Sequence, residues 1–186
     1  MPTPRFLIRL ATENDIGSLR GLIEISVRHL QKQDYTPAQI EGALGHLLGL
    51  DTQLIADRTY FVATPMSIPE LIVGCGGWSF RKTLFGSDRG PDRQDALLNP
   101  ATESAKIRAI FVHPKWARQG LGTFILKHCE VAAFEAGFRN LEMGSTLTGV
   151  PLYRNRGYEA LEELRVPLPN GEFLPVIHMV KTLNDR

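Results

Sequence analysis

The sequence predicts a mixed α/β (α+β) domain in which one helix crosses between two neighbouring parallel strands. Three observations carry the prediction. The periodic segments run strand, two helices, three strands, helix, strand, helix, two strands. The stretch Ile107 to Gly122, I-R-A-I-F-V-H-P-K-W-A-R-Q-G-L-G, passes from an apolar run through a glycine turn into a helical pattern, which is how a crossover unit begins. Turn clusters at Pro65 to Pro69 and at Pro169-Asn170-Gly171 separate adjacent strand-like runs and mark antiparallel hairpins.

Each element has its own signal. Phe6 to Leu10 reads as a short strand. Thr12 with Asp15 has capping-box spacing, and Ile16, Leu19, Ile23, Val27 and Leu30 then form one apolar helix stripe. Thr36-Pro37-Ala38-Gln39 opens a second helix, with Thr as N-cap and Pro in the first turn, and Ile40, Leu44 and Leu47 as its buried face. Residues 59–64 and 71–80 read as strands. Gly74, Gly76 and Gly77 in the second of these announce a bulge or a close backbone approach. Residues 83–100 are polar, rich in Gly and Pro, and read as a long loop of the kind that is usually functional or disordered. Residues 104–113 form the next strand, 120–136 a helix closed by Gly137, 140–144 a strand, 150–156 a short helix, and 158–168 with 173–182 a final hairpin. Residues 1–186 are expected to form a single domain, since no repeat, low-complexity tract or linker interrupts them.

Composition narrows the function classes. Apolar residues make up 43% of the 186, enough for a sizeable core, and the formal net charge of +1 gives no support for a nucleic-acid partner. Two cysteines, Cys75 and Cys129, cannot make a disulfide framework and read as buried small hydrophobes. No run approaches membrane-spanning length and no apolar leader opens the chain, so a cytoplasmic setting without membrane partners is expected.

The glycine turn carries the chemistry. A strand, a tight turn and a helix start aim unpaired backbone N–H groups and the positive end of a helix dipole at one point, where an anion binds. Residues 117–123 therefore predict a phosphorylated ligand. A P-loop would need Lys directly after its last glycine, and Leu121-Gly122-Thr123 has none. A dinucleotide fingerprint needs a third Gly or Ala, and the residue three past Gly122 is Ile125.

The segment instead resembles the coenzyme A motif of the GNAT superfamily of acyl-CoA-dependent N-acyltransferases. Val112-His113-Pro114 and Gly120-Leu121-Gly122 match its Val-x-Pro and Gly-x-Gly/Ala parts. The position three before Gly120, usually Gln or Arg, is Ala117, with Arg118 and Gln119 as replacement donors. Downstream, Leu152-Tyr153-Arg154-Asn155-Arg156-Gly157-Tyr158 resembles the family's Phe/Leu-Tyr-x-x-x-Gly-Phe/Tyr segment. The resemblance spans nearly the whole chain. It implies a mostly antiparallel sheet of about seven strands, helices on both faces and a central splayed parallel pair.

The resemblance further implies acetyl-CoA as co-substrate and a small-molecule or peptide amine as acceptor. A homodimer is left open. The pyrophosphate would lie on Ala117, Arg118, Gln119, Gly120, Leu121, Gly122 and Thr123, and pantetheine along Ile110, Phe111 and Val112, with an oxyanion donor near Val112. Tyr153 would stand beside the coenzyme sulfur as the acid that protonates the leaving thiolate, and neither cysteine sits in a motif, so no acyl-enzyme is expected. Glu103 ranks first as general base, ahead of Glu142, Asp34 and His29, with a water chain as a further option. A non-catalytic acyl-CoA sensor on the same scaffold and a transferase for longer acyl chains are the alternatives. His113 reads as a turn residue, Arg154 and Arg156 as a solvated face, and Trp78 and Phe80 as either core or acceptor-pocket lining. No cluster of metal-ligand spacing is present.

Overall fold

A computed structural model describes residues 5–184. Strand β1 (Phe6–Leu10) leads through a 3-10 turn (Glu13–Asp15) into helix α1 (Ile16–Leu30), followed by α2 (Pro37–Ala43) and α3 (Thr52–Ala56). Strands β2 (Tyr60–Pro65) and β3 (Gly74–Ser79) precede the long loop, and β4 (Ala105–Val112) follows it. Helix α4 (Leu121–Glu135) crosses to β5 (Asn140–Thr146), α5 (Val150–Arg154) comes next, and β6 (Glu159–Pro167) with β7 (Phe173–Thr182) closes the chain.

The seven strands form one sheet in the order β1-β2-β3-β4-β5-β7-β6. Every neighbouring pair is antiparallel except β4 and β5. Those two pair only at Ala105 with Leu141 and Lys106 with Glu142, and beyond this point they separate. The predicted splayed parallel pair is therefore present, and the β4 edge from Ile107 to Val112 has no strand partner on its β5 side.

One face of the sheet is covered by α1, α2 and α3, the other by α4 and α5. The apolar stripe of α1 (Leu19, Leu22, Ile23, Val27) packs with Tyr60, Val62, Cys75, Phe111 and Val176 on the first face. Leu121, Ile125, Leu126, Cys129 and Ala133 of α4 pack with Ile107, Leu141 and Met143 on the second. The glycine-rich β3 is explained by this packing. A Cβ at Gly74 would lie 2.8 Å from Ile125 Cδ1 and one at Gly76 2.8 Å from Ile125 Cγ2, so α4 can settle this close only over glycine. The bulge foreseen from these glycines is real, but the extra residue sits across from them on β4, around Ala109, which has a φ of 52°.

Two features differ from the sequence reading. Helix α3 went unforeseen because five residues are too short to show a helical period, although Asp51 caps it by accepting from the Gln53 N–H at 3.1 Å. Ordered strand in β3 begins at Gly74 rather than at Leu71. The loop over residues 83–100 is tied down at several points: the Thr83 hydroxyl bonds the Gln94 carbonyl at 2.9 Å, and the Ser87 hydroxyl bonds the His46 carbonyl at 2.8 Å. Among the described residues no helix is long and apolar enough to cross a membrane.

Candidate active site

The splay is filled by a cavity of about 80 Å³. It passes through the sheet. Ile107, Ile110, Met143 and Tyr153 line it on the α4/α5 side; Gln31, Leu47, Leu48, Phe85 and Val176 line it on the other. The separation of β4 from β5 makes this opening, since two paired strands would leave no gap between their backbones.

At the end of β4 the chain turns through a 3-10 segment (Pro114–Trp116), whose first N–H groups are satisfied locally: His113 Nδ1 accepts from the Lys115 N–H at 3.1 Å. Trp116 packs edge-on against Phe6, with ring centroids 6.0 Å apart. Arg118 and Gly120 then adopt left-handed conformations, with φ of 62° and 85°. Gly120 caps α4, and a Cβ there would meet nothing within 4 Å, so glycine serves the backbone conformation rather than close packing. From Arg118 to Thr123 the backbone N–H groups have no acceptor among the described residues. These donors converge at the positive end of a 15-residue helix. Arg5, Lys115 and Arg118 surround the turn, and Gln119 accepts from Arg5 at 3.0 Å. The run starts one residue later than the sequence suggested, because the Ala117 N–H closes the 3-10 turn on the Pro114 carbonyl at 3.3 Å.

On the β4 edge, Ile110 and Phe111 line the cavity. The Val112 N–H, expected to be a free donor, is held by the Ser26 hydroxyl of α1 at 3.3 Å, a long bond that a better acceptor can replace.

Tyr153 on α5 projects into the same cavity and is 8% exposed. Its ring is set by an edge contact with Tyr158, centroids 5.8 Å apart, and its hydroxyl has no hydrogen-bond partner among the described residues. Burial raises its pKa well above the ordinary phenol value, and the nearby Cys129 adds to the effect. Tyr158, the other candidate, donates to Glu130 at 3.0 Å and does not line the cavity. Burial pushes the Cys75 thiol up to about 12 and the Cys129 thiol higher still; neither lines the cavity, so neither offers a thiolate to it.

The proposed bases do not gather here. Glu103 precedes β4, accepts from the Asn99 N–H at 2.7 Å, faces Lys82 at 3.7 Å and does not line the cavity. The Asn99 N–H, ahead of the lysine, holds its carboxyl below the usual range. Glu142 is bonded to Lys106 and to His178 Nε2, the latter at 2.8 Å. Asp34 accepts from the Thr148 hydroxyl at 2.7 Å, and His29 Nδ1 lies 2.9 Å from the Ile25 carbonyl. Trp78 packs on Phe80 and Phe138 in the core, and Arg154 and Arg156 are exposed. Among the described residues no group of three His, Cys, Asp or Glu side chains could hold a metal ion.

Sequence reasoning missed two cavity residues. Arg108 is buried, donating to Asp51 at 2.8 Å and to the Thr83 and Gly86 carbonyls at 3.1 and 2.7 Å, and it ties β4 to α3 and the long loop. Gln31, just past α1, is 6% exposed, and its Oε1 is the one buried side-chain polar atom among the described residues without a partner. An unpaired buried amide costs about 1–3 kcal/mol.

A sequence model of the acetyltransferase (GNAT) domain matches residues 56–160, more than half of the chain and the part that holds the splay, the glycine turn and Tyr153. The chain belongs to the GNAT acetyltransferase family. It is an acyltransferase by that membership. Solved structures agree on the fold of this GNAT protein. A GCN5-related N-acetyltransferase from Rhodopseudomonas palustris superposes with a TM-score of 0.71 at 20% identity, covering 98% of this chain and 99% of that one. The PaiA N-acetyltransferase from Thermoplasma acidophilum, solved in complex with coenzyme A, gives 0.65 at 12% identity, covering 96% and 99%. YncA, a putative acetyltransferase from Salmonella typhimurium solved with acetyl-CoA, gives 0.62 at 14%, covering 98% and 96%. A search of curated proteins by sequence finds no match.

Proposed function

We propose that this GNAT protein transfers the acetyl group of acetyl-CoA to a primary amine by direct attack in a ternary complex. The observation that carries the reading is the run of unpaired N–H groups from Arg118 to Thr123, set between the end of β4 and α5 in a splayed sheet whose cavity receives Tyr153. Structures of related fold hold coenzyme A or acetyl-CoA, which supports the same co-substrate here.

In this reading the pyrophosphate lies on the N–H groups of Arg118 to Thr123, with Arg5, Lys115 and Arg118 adding charge. Pantetheine follows the unpaired β4 edge past Ile110 and Phe111 and brings the thioester into the cavity. The amine nitrogen attacks the carbonyl carbon, and N–H groups on that edge bond the developing oxyanion. The C–S bond then breaks, sulfur keeps the electron pair, the Tyr153 O–H gives it a proton, and the proton that the new amide nitrogen sheds restores the phenol through water. A phenol with a raised pKa suits this role because the same burial makes the leaving thiolate more basic, as the Cys75 thiol illustrates. No carboxylate or histidine lines the cavity, so the ammonium proton leaves through water. Mixing the protein with acetyl-CoA and a panel of primary amines, with free thiol as readout, tests the proposal: release of coenzyme A that depends on amine supports it, and none with any amine refutes it.

A further inference from the structure

The amide oxygen of Gln31, Oε1, lacks a hydrogen-bond partner among the described residues, although the side chain lies inside the protein against the cavity. Buried carboxamides are normally paired, and this fold pairs its other buried polar groups: Arg108 has three acceptors, and the Ser145 hydroxyl bonds the Thr146 carbonyl at 2.8 Å. Gln31 ends α1, the helix that packs on the face of the sheet opposite to that of Tyr153. The amine must reach a face of the planar thioester carbonyl, and with Tyr153 occupying the α4/α5 side of the cavity the remaining approach runs past Gln31.

The surroundings restrict what can arrive. The inner walls are Leu47, Leu48, Phe85 and Val176, with no carboxylate, so a second cation near the reacting nitrogen would go unpaired. Outward, Leu48 and Gly49 also wall a larger groove of about 460 Å³ that contains Arg20, Arg28 and Arg89. Its acids are engaged: Glu24 accepts from Arg28 at 3.0 Å, and Asp88 accepts from the Thr52 N–H and hydroxyl at 2.8 and 2.9 Å. Asp88 keeps its charge against these neutral donors and Arg28 is held by Glu24 and Glu41, so the positive character of the groove rests on Arg20 and Arg89, which have no ion-pair partner among the described residues and outnumber Asp88.

We infer that Gln31 receives the acceptor amine through its carboxamide, and that the acceptor is a slim primary amine with an anionic remainder, such as the α-amine of a short acidic peptide, rather than a polycation. The inference rests on the acetyltransferase reading. Its test compares acetyl transfer to alanyl-glutamate, alanyl-glutamine and spermidine by the native protein and by Gln31→Met, which keeps the shape and removes the amide. The expected order of kcat/KM is alanyl-glutamate, then alanyl-glutamine, then spermidine. In Gln31→Met the KM for alanyl-glutamate should rise about tenfold, the loss of one hydrogen bond to the substrate. Acetyl-CoA affinity should be unchanged and Tm unchanged or higher, because an unpaired buried amide has been removed. A lowered Tm with unchanged KM would make Gln31 a packing residue and overturn its role. Preference for spermidine, or no transfer to alanyl-glutamate by a protein that binds acetyl-CoA, overturns the acceptor class. Failure of the native protein to bind acetyl-CoA instead removes the acetyltransferase reading beneath it.

Discussion

Burial keeps the Tyr153 phenol protonated through the neutral and mildly alkaline range, and nothing in the fold occupies its hydroxyl. Tyr153→Phe is expected to lower kcat by about a hundredfold, the usual scale for a lost proton donor, while acetyl-CoA affinity is kept. Equal turnover in the variant would remove Tyr153 from the mechanism. Because its pKa is raised, native kcat should show no alkaline fall from this residue below pH of about 10. Glu103→Gln should leave kcat nearly unchanged, since the four residue steps from it to Ile107, at about 3.3 Å each, place it roughly 13 Å along the chain from the cavity. The contrast shows what was legible at this scale. Tyr153 sits in a motif whose spacing is local, whereas the position of Glu103 depended on where β4 begins to separate from β5, and Gln31 and Arg108 carried no local pattern at all. A separate residue-level prediction concerns acid. The Arg9 fork, and secondarily the Thr12 N–H, hold the Asp15 carboxyl down to about 2 against the cost of burial. A depressed folded-state pKa contributes stability above the unfolded value of about 3.9, and that contribution is lost as pH falls toward 2. Asp15→Asn should therefore lower stability at neutral pH, and the gap to the native protein should close between pH of about 4 and 2 in urea melts.

Among the elements, β4 does most to position the site, and the Arg108–Asp51 pair anchors it. Both side chains are almost wholly buried, 2% and 1% exposed, and Arg93 reaches the same carboxylate at 3.1 Å. Removing one partner of such a pair leaves an uncompensated charge, a loss of about 3–5 kcal/mol. Asp51→Ala should lower Tm by roughly 10 °C and free the loop over residues 83–87, read by calorimetry and hydrogen exchange. An unchanged Tm would show that the loop is held by other contacts. Most element boundaries were readable because strand alternation, helix caps and terminal glycines are local signals; β1 and α1 appear where the pattern placed them. The bulge at Ala109 was not, since β3 and β4 are distant in sequence and the glycines of β3 mark only one side of their register.

At the scale of the whole molecule, the sheet splays beyond Lys106, α4 begins beside the end of β4 and α5, and α5 brings Tyr153 in from one face while Gln31, at the end of α1, stands on the other. The overall architecture was legible because motif order and hairpin turns constrain topology strongly; the cavity was not, because it is lined by residues spread from Gln31 to Val176. A ligand that binds only the folded state raises Tm with concentration, so coenzyme A should stabilise the native protein, by about 2.7 kcal/mol at a hundred times its Kd. Calorimetric titration of acetyl-CoA into the native protein, Gly120→Asn and Gly120→Asp tests the pyrophosphate turn most directly. Both substitutions place a side chain at the same left-handed φ of 85°, and only Asp adds a negative charge among the free N–H groups. Saturable binding by the native protein, retained in weakened form by Gly120→Asn and lost in Gly120→Asp, is the expected result; no binding by the native protein, or equal binding by Gly120→Asp, would contradict it.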